Sequence, residues 1–97
     1  MITYYIRVNL NGKIYKVKRE TKRFFRYNCL VFDYDVKTHH FVESTTGLWC
    51  TPQSVKGFEK GKQWIIENID FIKSCVDNCI ENMDTIYSLP EIHMYEG

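Results

Sequence analysis

Nine residues at the N-terminus constrain the fold more than any other part of the chain. From Ile2 to Leu10 the side chains alternate strictly, with Ile2, Tyr4, Ile6, Val8 and Leu10 on one face and Thr3, Tyr5, Arg7 and Asn9 on the other. Period-two alternation is the pattern of a strand with one face covered. Asn11-Gly12 follows, the pair that best tolerates positive φ at both central positions of a type I′ turn. Pairing across that turn sets Val8 opposite Tyr15 and Ile6 opposite Val17, so the apolar faces of both strands coincide. Local turn chemistry and hydrophobic pattern agree, and residues 2–20 are expected to form a β-hairpin.

Beyond the basic stretch Lys22–Arg26, a third strand is expected over Asn28–Val36, with Leu30, Phe32, Tyr34 and Val36 on one side and Cys29, Val31, Asp33 and Asp35 on the other. Lys37-Thr38 turns the chain into a fourth strand at His39–Ser44, and Leu48-Trp49-Cys50 offers a short fifth strand or a tucked Trp49. Thr51-Pro52 resembles an N-cap followed by proline at the first helical position, which predicts a helical turn ending near Gly57 or Gly61.

The C-terminal third reads as one long helix over residues 62–88. Ile65, Ile69, Ile72, Val76, Cys79, Met83 and Ile86 recur at spacings of four and three, an unbroken helical stripe, and Pro90 disfavours helical geometry at Leu89. The expectation is a single α+β domain, residues 1–97: a four- to five-stranded, mainly antiparallel sheet, hairpin first, with one face covered by this helix. Apolar side chains beyond the stripe, at Trp64, Ile66, Phe71 and Ile80, widen the band enough to serve a second copy in a homodimer.

Charge is unevenly distributed. Residues 1–27 carry eight basic side chains against Glu20, a net +7, whereas residues 63–97 carry seven acids against Lys73, a net −6. The whole chain is nearly neutral at +1. No apolar run approaches the about 20 residues of a membrane span, and Met1-Ile2-Thr3-Tyr4 is no secretory leader, so a cytoplasmic location in a bacterial or other host cell is expected. Without a secretory context the four cysteines read as free thiols, Cys75 and Cys79 packing on one helix face. The chain lacks alanine and is rich in Ile, Lys, Asn and Tyr, the composition of an AT-rich coding sequence such as that of a low-GC bacterium, its phages or its plasmids.

Two surfaces carry functional expectations. Opposite the apolar stripe stand Glu67, Asp70, Ser74, Asp77, Glu81 and Asp84, again at spacings of three and four. A row of like charges is mildly self-repelling on a helix, and a rigid carboxylate row suits docking on a basic partner surface. The leading expectation is therefore a non-enzymatic protein-binding module, a small regulator or inhibitor of a larger macromolecular machine encoded by a phage or other mobile element. It would contact its protein partner through Glu67, Asp70, Asp77, Glu81 and Asp84. The alternative is nucleic-acid binding by Tyr5, Arg7, Lys16, Lys18, Arg23 and Arg26, cations and rings interleaved on the open face of the hairpin.

Other constellations are weaker. Asp33, Asp35, His39 and His40 are metal-ligating types, but adjacent histidines on a strand point to opposite faces, which opposes convergence on one ion. No nucleophile stands with a base, no carboxylate pair shares an apolar setting and no glycine-rich phosphate loop occurs; Cys50 has no histidine nearby in sequence. The expectation is no enzyme, no catalytic residue, no metal and no cofactor.

Overall fold

A computed structural model describes residues 1–93. Strands β1 (Ile2–Leu10) and β2 (Lys13–Thr21) form a two-stranded antiparallel hairpin. Its register places Val8 opposite Tyr15 and Ile6 opposite Val17, and Asn11 and Gly12 turn the chain with φ of 54° and 83°. Strands β3 (Phe24–Tyr27), β4 (Leu30–Asp35) and β5 (His40–Glu43) form a second antiparallel sheet in the order β3-β4-β5. Helices α1 (Phe58–Glu67) and α2 (Ile69–Glu81) follow, then a 3-10 turn at Ile86–Ser88.

The expected single sheet is thus two sheets, and the central one is covered on both sides. Leu30, Phe32 and Tyr34 of β4 face a core shared with Phe25, Phe41, Ile65, Ile72 and Val76 of the neighbouring strands and helices. On the opposite side Val42 packs with Tyr4, Ile6 and Val17 of the hairpin. A five-strand sheet covered on one face would have left Asp33 and Asp35 near water; stacking the hairpin there buries both.

The basic stretch before Asn28 contains the missing strand. β3 pairs with β4 through a two-residue turn at Asn28 and Cys29, with φ of 50° and 65°. Asn at the first position is the ordinary choice for such a turn, but Cys rather than Gly at the second hides it. Leu48–Cys50 adds no full strand: Trp49 makes one bridge, to Val42. Thr51 does not cap a helix either. Residues 52–55 close a turn through the Val55 amide and the Pro52 carbonyl at 2.9 Å, and α1 starts after Gly57.

The single helix over residues 62–88 is corrected at both ends and in the middle. At Asn68 the side-chain amide donates to the Trp64 carbonyl at 2.8 Å, where the Asn68 backbone N–H also donates at 3.0 Å. This back-bonding diverts the backbone to φ −116°, ψ 23° and separates α1 from α2. α2 then stops at Glu81 because Met83 turns left-handed at φ 57°. The Asp84 N–H reaches the Cys79 carbonyl at 2.8 Å and the Met83 N–H the Ile80 carbonyl at 3.0 Å, the hydrogen-bond pair of a Schellman ending. The apolar stripe is therefore shared among three elements: Ile65, Ile72 and Val76 are buried in the helical core, Met83 is exposed, and Ile86 is buried against the Gly47 loop.

Gly61 lets α1 lie close on β5. A Cβ at this position would stand 2.8 Å from Cδ2 of Phe41, a fully buried ring. Gly61→Ala gains about 1 kcal/mol of helix propensity, but the overlap costs more, and a net loss of about 1–2 kcal/mol is expected in urea unfolding. An unchanged or raised denaturation midpoint would refute this close approach.

Candidate functional site

The central sheet and hairpin meet around buried carboxylates. Asp35, at the end of β4, accepts both oxygens' worth of contact from Arg19 of β2 at 2.8 Å, the Tyr4 hydroxyl of β1, and the Thr38 hydroxyl at 2.6 Å. Burial alone raises its pKa, but the Thr38, Tyr4 and Arg19 hydrogen bonds and the Arg19 charge overcome this and hold the carboxyl below its usual range. Burial pushes the Tyr4 phenol upward, and its bond to Asp35 adds to that. Asp33, two residues earlier on the same face, is equally buried, and neither of its oxygens has a hydrogen-bond partner. Its pKa is pushed up to about 6, mainly by burial; the Ser44 side chain opposes the rise and Glu43 adds to it.

Among the described residues no three His, Cys, Asp or Glu side chains stand where they could hold an ion together. His40 Nδ1 pairs with the Thr51 hydroxyl at 2.8 Å, whereas His39 Nδ1 pairs with the Tyr34 hydroxyl at 3.2 Å. Cys50 is buried, with its thiol pushed up to about 12 chiefly by burial, and its Sγ contacts the Leu48 carbonyl at 3.3 Å. A protonated, enclosed thiol is a poor nucleophile.

The carboxylate row survives only in part. Asp70, Ser74, Asp77 and Glu81 share the exposed side of α2, where with Lys73 and Asn78 they surround a shallow depression of about 450 Å³. Asp77 pairs with Lys73 at 3.3 Å, one turn away. Glu67 belongs to α1, on the other side of the Asn68 break, and accepts from Gln63 at 3.1 Å. Asp84 lies past the end of α2 and pairs with Arg7 at 3.2 Å, so it leaves the row.

The basic hairpin face is also reduced, because the chain after α2 runs back along it. Arg7 donates to the Thr46 carbonyl at 2.8 Å as well as to Asp84, and its side chain is only 14% exposed. Lys16 sits over the Tyr5 ring at 5.1 Å and donates to the Tyr87 carbonyl at 3.3 Å, while its backbone pairs with Pro90 and Ile92. Tyr5 meets Tyr87 edge to face. The Arg23 guanidinium stacks 4.2 Å from the Phe58 ring centroid. Only Lys18 and Arg26 of the six remain exposed without such an engagement among the described residues. The sequence holds no local sign of this coverage, which depends on where residues 84–92 return.

A feature that the sequence did not announce is an apolar groove of about 250 Å³ beside the acidic side of α2. Trp49, Pro52, Trp64, Phe71 and Cys75 are among its lining residues. Phe71 is 68% exposed, unusual for a large ring on a small protein. No family model matches the chain, and no curated protein or solved structure shows significant similarity to it. No helix among the described residues is long and apolar enough to cross a membrane.

The unpartnered Asp33 sets a pH dependence. A carboxyl whose folded pKa lies above its unfolded value of 3.8 favours folding when protonated, so its contribution is lost as pH rises from about 4 through about 6. His40 acts in the opposite direction, since burial first and the Lys56 charge second lower its pKa. Comparing Asp33→Asn with the wild type isolates the aspartate. The variant is expected to gain about 1–2 kcal/mol at pH 8 and to lose that advantage at pH 4. Equal differences in urea midpoint at the two pH values would show that folding does not raise the Asp33 pKa.

Proposed function

We propose that this protein is a non-enzymatic binding module that docks on a larger protein through the exposed side of α2 and the apolar groove next to it. The reading is carried by one juxtaposition: Phe71, the most exposed ring of the helical layer, follows directly on Asp70 and stands at the edge of a surface that also bears Asp77 and Glu81. Interfaces gain most from aromatic anchors set in a pocket, while charges around the anchor steer encounter and choose the partner. The complementary partner is a segment rich in Lys and Arg with an apolar side chain to enter the groove between Trp64 and Phe71. A regulator or inhibitor of a larger assembly, carried by a phage or another mobile element, would need no more than this.

The revised surface differs from the straight carboxylate rod expected of the sequence. Glu67 flanks it across the kink, and Asp84 is held by Arg7. Nucleic-acid binding is the weaker reading, because Arg7, Lys16 and Arg23 have internal engagements that an extended phosphate track would have to displace.

The test uses a photo-crosslinking side chain at position 74 or, as a control, at position 18, in full-length protein added to extract of the native host. Position 74 is expected to crosslink to a Lys- and Arg-rich segment of one protein, and position 18 not to. Asp70→Lys, Asp77→Lys and Glu81→Lys together should reduce that product about tenfold or more, whereas Lys18→Glu with Arg26→Glu should leave it unchanged. Crosslinking that is indifferent to the helix reversal, or confined to position 18, would remove α2 as the docking surface.

A further inference from the structure

A strand at the edge of a sheet presents unpaired main-chain groups, and this fold covers most of its own edges. Beside β5, the Glu43 N–H donates to the Leu48 carbonyl and the Cys50 N–H to the Phe41 carbonyl, both at 2.9 Å. Beside β2, the main chain of Lys16 bonds with Pro90 and Ile92. On the outer edge of β1 the Trp49 indole donates to the Arg7 carbonyl at 3.2 Å. β3 ends the three-stranded sheet, and among the described residues no hydrogen bond covers its outer edge.

The register identifies the groups left open. The Tyr34 N–H donates to the Arg23 carbonyl at 3.0 Å, so by antiparallel alternation Phe25 bonds with Phe32 and Tyr27 with Leu30, while Phe24 and Arg26 turn their N–H and C=O outward. The same alternation turns Lys16 outward from the first hairpin, where it meets Pro90 and Ile92. Side chains flank the open edge on both faces. Phe24 and Arg26 share one face and are exposed, and Tyr27, 38% exposed, shares the other with the buried Phe25. Lys62 of α1 stands over the Phe25 ring, 5.6 Å from its centroid. No acid occurs between Thr21 and Phe32, a stretch that holds Lys22, Arg23 and Arg26.

We propose that the outer edge of β3 accepts an extended, acidic segment of a partner protein as an added strand of this sheet. Such a strand satisfies the open groups of Phe24 and Arg26; its main-chain bonds supply attachment, and its alternate side chains supply choice. Carboxylates at every second position meet Arg26, and the apolar side chains between them lie along Tyr27. A second copy of this chain is the wrong occupant, because two β3 strands side by side bring two basic segments together, and like charges across a ladder are destabilising. Basic side chains on this edge therefore oppose self-association and select a strand of opposite charge. The edge shares no residue with the α2 surface, and failure of either proposal leaves the other standing.

Fluorescence anisotropy of the full-length protein with short labelled peptides tests the assignment. One peptide alternates Glu and Val, one alternates Lys and Val, and a third is the acidic peptide with its amides N-methylated, which keeps the charges and removes the donors. The acidic peptide is expected to bind saturably, and the other two about tenfold or more weakly. Arg26→Glu should weaken the acidic peptide about tenfold or more. Phe24→Pro, which removes an outward N–H without touching the ladder to β4, should weaken it about threefold or more; circular dichroism verifies that each variant is folded. Equal binding of the acidic peptide and its N-methylated copy would overturn strand addition, leaving charge attraction alone. Absence of saturable binding, or binding unchanged by Arg26→Glu, would overturn the proposal outright. Tighter binding of oligothymidylate than of the acidic peptide would reassign the edge to nucleic acid, and a dimer in sedimentation that Phe24→Pro dissolves would reassign it to a second copy.

Discussion

The structure depends on one buried carboxylate. Asp35 joins β1 through Tyr4, β2 through Arg19 and its own turn through Thr38, so the hairpin is fixed on the central sheet by a charge-assisted network as well as by apolar packing. A buried ion pair adds little net stability over an apolar contact of the same shape, yet removing one partner strands the other in a dry interior. What the network contributes is register. Tyr4 and Arg19 are opposite each other in the hairpin, and both reach one residue of β4, so the hairpin can dock in one position only. Asp33, on the same face and two residues away, has no such partners, so burial pushes its pKa up whereas hydrogen bonds and the Arg19 charge hold that of Asp35 down.

Legibility in the sequence follows the range of the interaction that decides each element. The first hairpin depends on its own alternation and on Asn11-Gly12, all within 20 residues, and its register was readable to the residue pair. The inward face of β4 was readable for the same reason: Leu30, Phe32 and Tyr34 alternate and are all buried. The Asn28–Cys29 turn was not, because a cysteine in a left-handed conformation has no distinctive signature. The stacking of two sheets was not either. A one-sided alternation says that a face is covered without saying by what, and the helix is only one of the available covers.

The helical third shows how a correct periodicity can mislead about continuity. Every residue of the stripe from Ile65 to Val76 keeps its spacing, because a kink that preserves the inward face costs the core nothing. Asn68 breaks the rod through a side-chain bond to Trp64, a local competition that hydrophobic spacing does not record. Past Glu81 the agreement ends: Met83 holds a core position in the pattern and is 82% exposed, while Ile86 regains burial through a different contact, on the loop at Gly47. The candidate surface followed the same division. Asp70, Asp77 and Glu81 lie within the surviving helix and remain together, whereas Glu67 and Asp84 lie outside its ends and do not.

The uneven charge of the chain is spent partly on its own assembly. Arg19 meets Asp35, Arg7 meets Asp84, and Lys16 follows the returning C-terminal segment, so much of the basic N-terminal third holds the layers together rather than facing a ligand. Basic side chains from the middle stretch, whose net charge is zero, also meet across the fold: Lys37 and Lys56 are 19 positions apart in sequence and line one cavity. Trp49 and Thr51 line both that cavity and the apolar groove beside α2.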